Sequence, residues 1–368
     1  MTLQSMYLNL RGIILESDNA VTMPDGKKYD GVEKIFELSD THPAGIMING
    51  NMEFEHIPIE NLIEECKQSK GFKKSRTIED MKFSLLETFK KHSKKSSIEN
   101  YLSSILDEFK FNLTYEIHQQ GFEKTVKMKK RSSIKEYIKH HANFEHEFDD
   151  LIPENLDKEK YNRIIWEIFS YELKYEGTGI IIAGYNLHSN KPSFIEINVH
   201  CNSNGKIVYD EIDSQIDSDE SKFKIFAIND EGYTFITGVN EEFISYITQY
   251  IEKRNVNVLN NISEDLKDNN VKDSDEILEI VKKELDDEYS TIEEDIENYR
   301  VDTINYTTKS IEYLPRRLIC EFLDTINQLT AIKQQTSSEI ESVSKGSHIC
   351  LMTKTKGFKW IKFDDEIL

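Results

Sequence analysis

At 368 residues the chain is long enough for one large domain with insertions or for two domains, and either can bury a sizeable core. Its net charge of −21 argues against a nucleic-acid partner, because phosphate binding draws on clustered Lys and Arg. No apolar run reaches the ~18 residues of a membrane span and no charged-then-apolar leader opens the chain, so a cytoplasmic protein without a membrane partner is expected.

The first fifty residues hold three chemically useful side chains at even intervals: Thr2, Asp18 and Lys34. Removal of Met1 would make Thr2 the N-terminal residue, uniting a hydroxyl nucleophile with a free α-amine. Such an amine titrates near ~7.7–8.0, so a fair fraction is neutral at physiological pH and can take the hydroxyl proton, usually through one water. Gly12-Ile13-Ile14-Leu15-Glu16-Ser17-Asp18 is a β-rich run ending in polar turn formers, and Met23-Pro24-Asp25-Gly26 is a turn. Lys34-Ile35-Phe36-Glu37-Leu38 alternates as a strand, while Ala44-Gly45-Ile46-Met47-Ile48-Asn49-Gly50 is mostly apolar, as a strand buried on both faces would be.

This layout resembles the β-subunits of the proteasome and the bacterial HslV peptidase, members of the N-terminal-nucleophile hydrolases, and a bacterial proteasome-like branch with long insertions. The family pattern is an N-terminal Thr, then Gly-Val-Val-Leu-Ala-Ala-Asp-x-x-Ala-Thr, then a Lys opening a Lys-Ile strand, then a strand running into a Gly pair. Here these stand as Thr2, the run from Gly12 to Thr22, Lys34-Ile35-Phe36, and Gly45 to Gly50, the last needing one inserted residue. The resemblance implies that Thr2 attacks and that Asp18 and Lys34 set its hydrogen bonding and proton affinity. It also implies that backbone N–H groups near Asn49 and Gly50 form an oxyanion hole. A buried ammonium beside the amine keeps the amine unprotonated, and donors aimed at an oxyanion are typically worth ~2.7–4 kcal/mol each.

After Gly50 the run Ile57 to Cys66 reads as a helix with Pro58 near its first turn. From Lys67 to Tyr175 the sequence is charged and helical, with capping boxes at Thr77…Asp80 and Ser96…Glu99. The pair His140-His141 and the pair Glu145-His146 form the one His cluster, but there is no third ligand and no HExxH, so these are surface histidines and no metal is expected. Cys66, Cys201, Cys320 and Cys350 have no CxxC spacing and read as buried thiols. Basic clusters such as Lys127-Met128-Lys129-Lys130-Arg131 read as solvated faces or contacts to an acidic subunit patch. Tyr161, Ile164, Ile165, Ile168 and Phe169 form an apolar helix assigned to the core.

Gly179 to Asn186 and Pro192 to Val199 are antiparallel strands, and Asn204-Gly205 is a hairpin turn. Tyr233 to Gly238 reads as a short strand or as a lead into a helix at about 241–252. The family's Gly-Ser-Gly turn, whose Ser supports the nucleophile, is replaced here by Asn229-Asp230-Glu231-Gly232. Residues 255–305 are an acidic, helix-prone arm. Leu314-Pro315-Arg316-Arg317 opens a last long helix with a stripe of Leu318, Phe322, Ile326, Leu329 and Ile332. A closing hairpin around Thr355-Lys356-Gly357 follows; His348 on it is expected to be packed rather than catalytic. The family's Asp-x-x-Ser-Gly-Gly before that hairpin stands here as Glu341-Ser342-Val343-Ser344-Lys345-Gly346, which brings Glu341 and Ser344 into the implied site.

The expected fold is α+β, a four-layer αββα N-terminal-nucleophile sandwich with two helical insertions. Its core is expected in residues 1–66, 161–254 and 313–368, with insertions at 67–160 and 255–312. The expected activity is a threonine amidohydrolase or peptidase without cofactor, acting on a peptide or amide substrate, self-associating, and served by an unfoldase or regulatory protein. The alternatives are a catalytically silent assembly subunit and an acidic module that binds basic proteins.

Overall fold

The computed structural model describes residues 2–22, 27–39, 41–54, 56–92, 109–119, 121–131, 148–173, 177–203, 206–227, 230–269, 271–336 and 342–363. Its strands in chain order are β1 (Leu3–Asn9), β2 (Gly12–Asp18), β3 (Val21–Thr22), β4 (Lys28–Tyr29), β5 (Ile35–Glu37), β6 (Ala44–Gly50), β7 (Glu53–Phe54), β8 (Ile57–Pro58), β9 (Thr178–Tyr185), β10 (Pro192–Ser203), β11 (Lys206–Gln215), β12 (Lys222–Ala227), β13 (Ser347–Thr353) and β14 (Gly357–Lys362). The helices are α1 (Ile59–Gln68), α2 (Ile78–His92), α3 (described over 109–119), α4 (Phe122–Arg131), α5 (Lys158–Leu173), α6 (Asp230–Thr237), α7 (Glu241–Asp268), α8 (Ser274–Glu312) and α9 (Arg316–Thr336). The chain is therefore α+β, and its assigned strand pairings are antiparallel. It divides into two compact units, Met1–Lys34 with Asp219–Leu351 and Lys359–Leu368, and Ile35–Ser218 with Met352–Phe358.

In the first unit the sheet runs β12-β1-β2-β13-β14. Every residue of β1 and β2 is buried, so both faces of these strands are covered. Alternation puts Leu3, Tyr7 and Ile14 on the face that packs with Ile319, Leu323 and Ile326 of α9, where Tyr233 and Ile236 of α6 join them. Full burial of such a side chain stabilises by roughly 1.5–3 kcal/mol. The segment from Tyr233 is helical, within α6. Residue 255, where the acidic arm was expected to begin, lies inside α7, which packs against α8.

The apolar stripe read for α9 is off by a step. Leu318, Leu329 and Ile332 are exposed, whereas the buried face carries Ile319, Cys320, Leu323, Ile326, Asn327, Thr330, Ala331 and Gln334. Three polar residues sit inside because their side chains bond backbone carbonyls and a buried loop, which apolar periodicity cannot register.

In the second unit the sheet runs β11-β10-β9-β6-β5, with Ile46 opposite Ile182 and Ile182 opposite Ile195. Ile59, Leu62, Ile63 and Cys66 of α1 and Ile78, Met81, Leu85 and Phe89 of α2 close over these strands. The α2 capping box forms: Asp80 N–H donates to Thr77 Oγ1 at 3.0 Å, and Thr77 N–H donates back to Asp80 Oδ2 at 3.0 Å. The box at Ser96 lies outside the described residues, as do the His140–His146 cluster and the Asn204-Gly205 turn. α2, assigned to the insertion on sequence, thus supplies the second helix on this sheet. The helix at 161–169, assigned to the sheet core, instead packs Ile165 and Ile168 of α5 with Phe109, Leu113, Phe122 and Val126 in a separate helical cluster. Both helices are apolar on one side, and periodicity does not say which partner that side meets.

Candidate active site

Thr2, Asp18 and Lys34 meet in the first unit. Thr2 precedes β1, Asp18 ends β2, and Lys34 lies before β5, so contact depends on β1 and β2 folding back antiparallel with Gln4 opposite Ser17. The Lys34 Nζ donates to Thr2 Oγ1 at 2.8 Å and to Asp18 Oδ1 at 2.7 Å. Asp18 and Lys34 are fully buried and Thr2 is 7% exposed. Asp18 also accepts from Leu3 N–H at 3.2 Å and Ala20 N–H at 3.1 Å, with Ser344 N–H at 3.5 Å. That set of donors orients the carboxylate toward Lys34.

Burial raises the Asp18 carboxyl, against the lowering effect of Lys34 and the backbone N–H groups. It likewise lowers the Lys34 amine, against the raising effect of Asp18. A proton between these groups is therefore less firmly bound to lysine than in water, and the hydroxyl within hydrogen-bond reach is Thr2.

Ser344 belongs to this constellation as a support. Its hydroxyl lies 2.5 Å from Asn19 Oδ1 and 2.8 Å from the Gly346 carbonyl oxygen, and it accepts from Asn19 N–H at 3.2 Å. The 342–346 segment is in turn held by α9: Asn327 Nδ2 donates to the Ser344 carbonyl at 3.0 Å, and Gln334 Oε1 accepts from Ser342 N–H at 2.9 Å and Val343 N–H at 3.0 Å. Asn19, Asn327 and Gln334 were missed on sequence. For the two on α9 the available signal was a pair of amides seven residues apart, on the side that also carries Ile319, Leu323 and Ile326.

No protein-family model matches this chain, and no curated protein matches it.

Asn49 and Gly50 lie in the second unit, at the end of β6, opposite Gly179 and Thr178. Gly50 has φ +72°, and a Cβ there would strike the Gly177 carbonyl oxygen, so this bend requires glycine. Glu341 lies outside the described residues. His348 is buried and stacks on Phe363 with ring centroids 4.5 Å apart, consistent with packing. Cys66, Cys320 and Cys350 are buried free thiols, and burial pushes Cys66 and Cys320 up to about 11, which makes them poor nucleophiles. Among the described residues no group of three or more His, Cys, Asp or Glu is arranged around a metal position, and no helix is long and apolar enough to cross a membrane.

Proposed function

We propose that this chain is an N-terminal-nucleophile hydrolase of amide or peptide bonds, with Thr2 as nucleophile once Met1 is removed. The observation that carries the reading is the Lys34 Nζ held between Thr2 Oγ1 and Asp18 Oδ1 in a buried site. In the proposed cycle the neutral Thr2 amine takes the hydroxyl proton as Oγ1 adds to the substrate carbonyl carbon. Lys34, kept in position by Asp18, donates to Oγ1 and steadies the charge that develops there. The tetrahedral intermediate collapses as the C–N bond breaks and the Thr2 ammonium returns its proton to the leaving amine. Water, activated by the same amine, then releases the acyl group from Thr2.

The fold proposed for this activity is the αββα sandwich. A five-stranded sheet with α6 and α9 on one face, and a second with α1 and α2 on one face, support it. The Asn49 and Gly50 backbone is proposed as the oxyanion site, and the protein as a cytoplasmic, self-associating bacterial enzyme that needs an unfoldase for folded substrates.

A second reading, a catalytically silent assembly subunit, draws on two observations. Helix α6 opens at Asp230, where the family has its supporting Gly-Ser-Gly turn, and Thr2 is nearly inaccessible. Intact-mass analysis followed by a threonine-directed epoxyketone separates the readings. Loss of Met1 with labelling that Thr2→Ala abolishes supports the hydrolase. Retained Met1 places the base in a peptide bond and rejects it, and a free Thr2 that never labels moves the assignment to the silent subunit.

A further inference from the structure

A cavity of about 390 Å³ lies in the first unit, between the start of α9 and the β13–β14 edge of its sheet, a size within the ~300–1,000 Å³ of small-molecule sites. None of its lining side chains belongs to the Thr2, Asp18 and Lys34 group. Ile349 and Leu351, two residues apart on β13 and so on one face, form its wall with Cys320 of α9 and Ile361 of β14. Burial pushes Cys320 up to about 11, so the thiol is uncharged at neutral pH and counts with the apolar side chains. Ile361 is 52% exposed, an apolar side chain left in water at the mouth.

The charged side chains of the lining fall into two closed pairs and one open group. Lys362 Nζ donates to Asp324 Oδ1 at 2.7 Å, and Arg317 Nε donates to Glu321 Oε1 at 2.8 Å, so each pair cancels its own charge. Arg316 is the open group. Its Nη2 donates to the Arg11 carbonyl oxygen, its buried Nε has no hydrogen-bond partner, and no carboxylate among the described residues pairs with it. A guanidinium brings five donors and a fixed charge. The cavity thus joins an apolar wall to one uncompensated cation, and Arg316 and Asp324 stand at the two ends of the α9 lining, about 12 Å apart along the helix.

We propose that this cavity binds an aliphatic monocarboxylate, a medium-chain fatty carboxylate, with its carboxylate on Arg316 and its hydrocarbon chain over Cys320, Ile349, Leu351 and Ile361. Charge complementarity selects the head. One negative charge cancels the one open guanidinium, whereas a dianion adds a charge that Asp324 and Glu321 repel. The wall selects the tail. A peptide would bring backbone N–H and C=O groups that need partners, and the charged lining beyond Arg316 is already paired with itself. A hydrocarbon chain asks for none and removes apolar surface from water, Ile361 included. The site does not depend on whether Thr2 reacts.

The probe is octanoate, ionised at about pH 7, titrated calorimetrically into the whole protein, with octanol as its neutral counterpart. Saturable binding of octanoate is expected, roughly tenfold or more tighter than that of octanol. Arg316→Gln removes the charge and weakens octanoate by the same factor while leaving octanol unchanged, a split that a merely structural role of Arg316 would not produce. Arg317→Gln, whose guanidinium is already paired with Glu321, binds octanoate as the unmodified protein does. Should Arg316→Gln fail to fold, Ile361→Asp, at a half-exposed position, sets a carboxylate in the wall and abolishes binding. Absence of saturable binding, equal affinity for octanoate and octanol, or unchanged octanoate binding in folded Arg316→Gln or Ile361→Asp overturns the proposal.

Discussion

Asn327 of α9 donates its amide to the backbone carbonyl of Ser344 over 3.0 Å, tying a helix interior to the segment that backs Asp18. Replacing it by Leu leaves that buried carbonyl without its donor, which costs roughly 1–3 kcal/mol. Asn327→Leu is therefore expected to lower stability by that amount in urea denaturation and to slow epoxyketone labelling of Thr2. Unchanged labelling in a destabilised variant would mean that the 342–346 segment does not position Asp18.

Lys34 and Asp18 are a buried pair, and removing one partner strands the other. Lys34→Met is expected to cost about 3–5 kcal/mol, because Asp18 must then stay charged without compensation or take up a proton. The double variant Lys34→Met with Asp18→Asn is expected to recover part of that loss. A double-mutant cycle by chemical denaturation checks it, and strictly additive costs would contradict a coupled pair.

Glu16 makes a stability prediction with a defined sign. Burial raises its carboxyl well above the usual carboxylate range, so between that range and the folded-state value the folded protein binds more protons than the unfolded chain. Its stabilising contribution is present below 4.5 and is lost as pH rises. Glu16→Gln, which does not ionise in either state, is expected to be more stable than the unmodified protein at pH ~7. The difference should vanish near pH ~4, provided the fold persists there. Equal denaturation midpoints at neutral pH would contradict a raised Glu16 carboxyl.

His42 has the opposite sign. Burial, then the charge of Lys354, lowers its value below 6.5, and its Nε2 has no hydrogen-bond partner while Nδ1 lies 2.9 Å from Thr41 Oγ1. The unfolded chain therefore binds the extra proton first. The His42 contribution is complete above 6.5 and is lost as pH falls toward the folded-state value. The melting temperature of His42→Gln should therefore gain on that of the unmodified protein as pH falls below 6.5, measured as the difference between the two.

Much of the first unit was legible because local chemistry decided it. Gly12 to Asp18 and Ala44 to Gly50 are strands where β-branched and apolar runs end in turn formers, and the Thr77–Asp80 box closes as its spacing requires. The family resemblance carried by Thr2, Asp18 and Lys34 implied that the three share one site. Two-residue alternation along β2 likewise puts Glu16 and Asp18 on one face.

What local chemistry could not decide is which surface each amphipathic element meets. Helices α2 and α5 carry similar apolar stripes, yet α2 covers a sheet and α5 joins a helical cluster. The buried side of α9 includes Asn327, Thr330 and Gln334, polar residues that belong inside only because backbone groups await them there. The sequence by itself determined the chemistry on hand: a hydroxyl, a carboxylate and an amine on strand-forming stretches near one terminus. Only the tertiary structure decided that Lys34 lies within 2.8 Å of both partners and that a segment over three hundred residues away braces Asp18. The physical reason is that burial and long-range hydrogen bonding set the proton affinities of these groups, and both are properties of packing rather than of order along the chain.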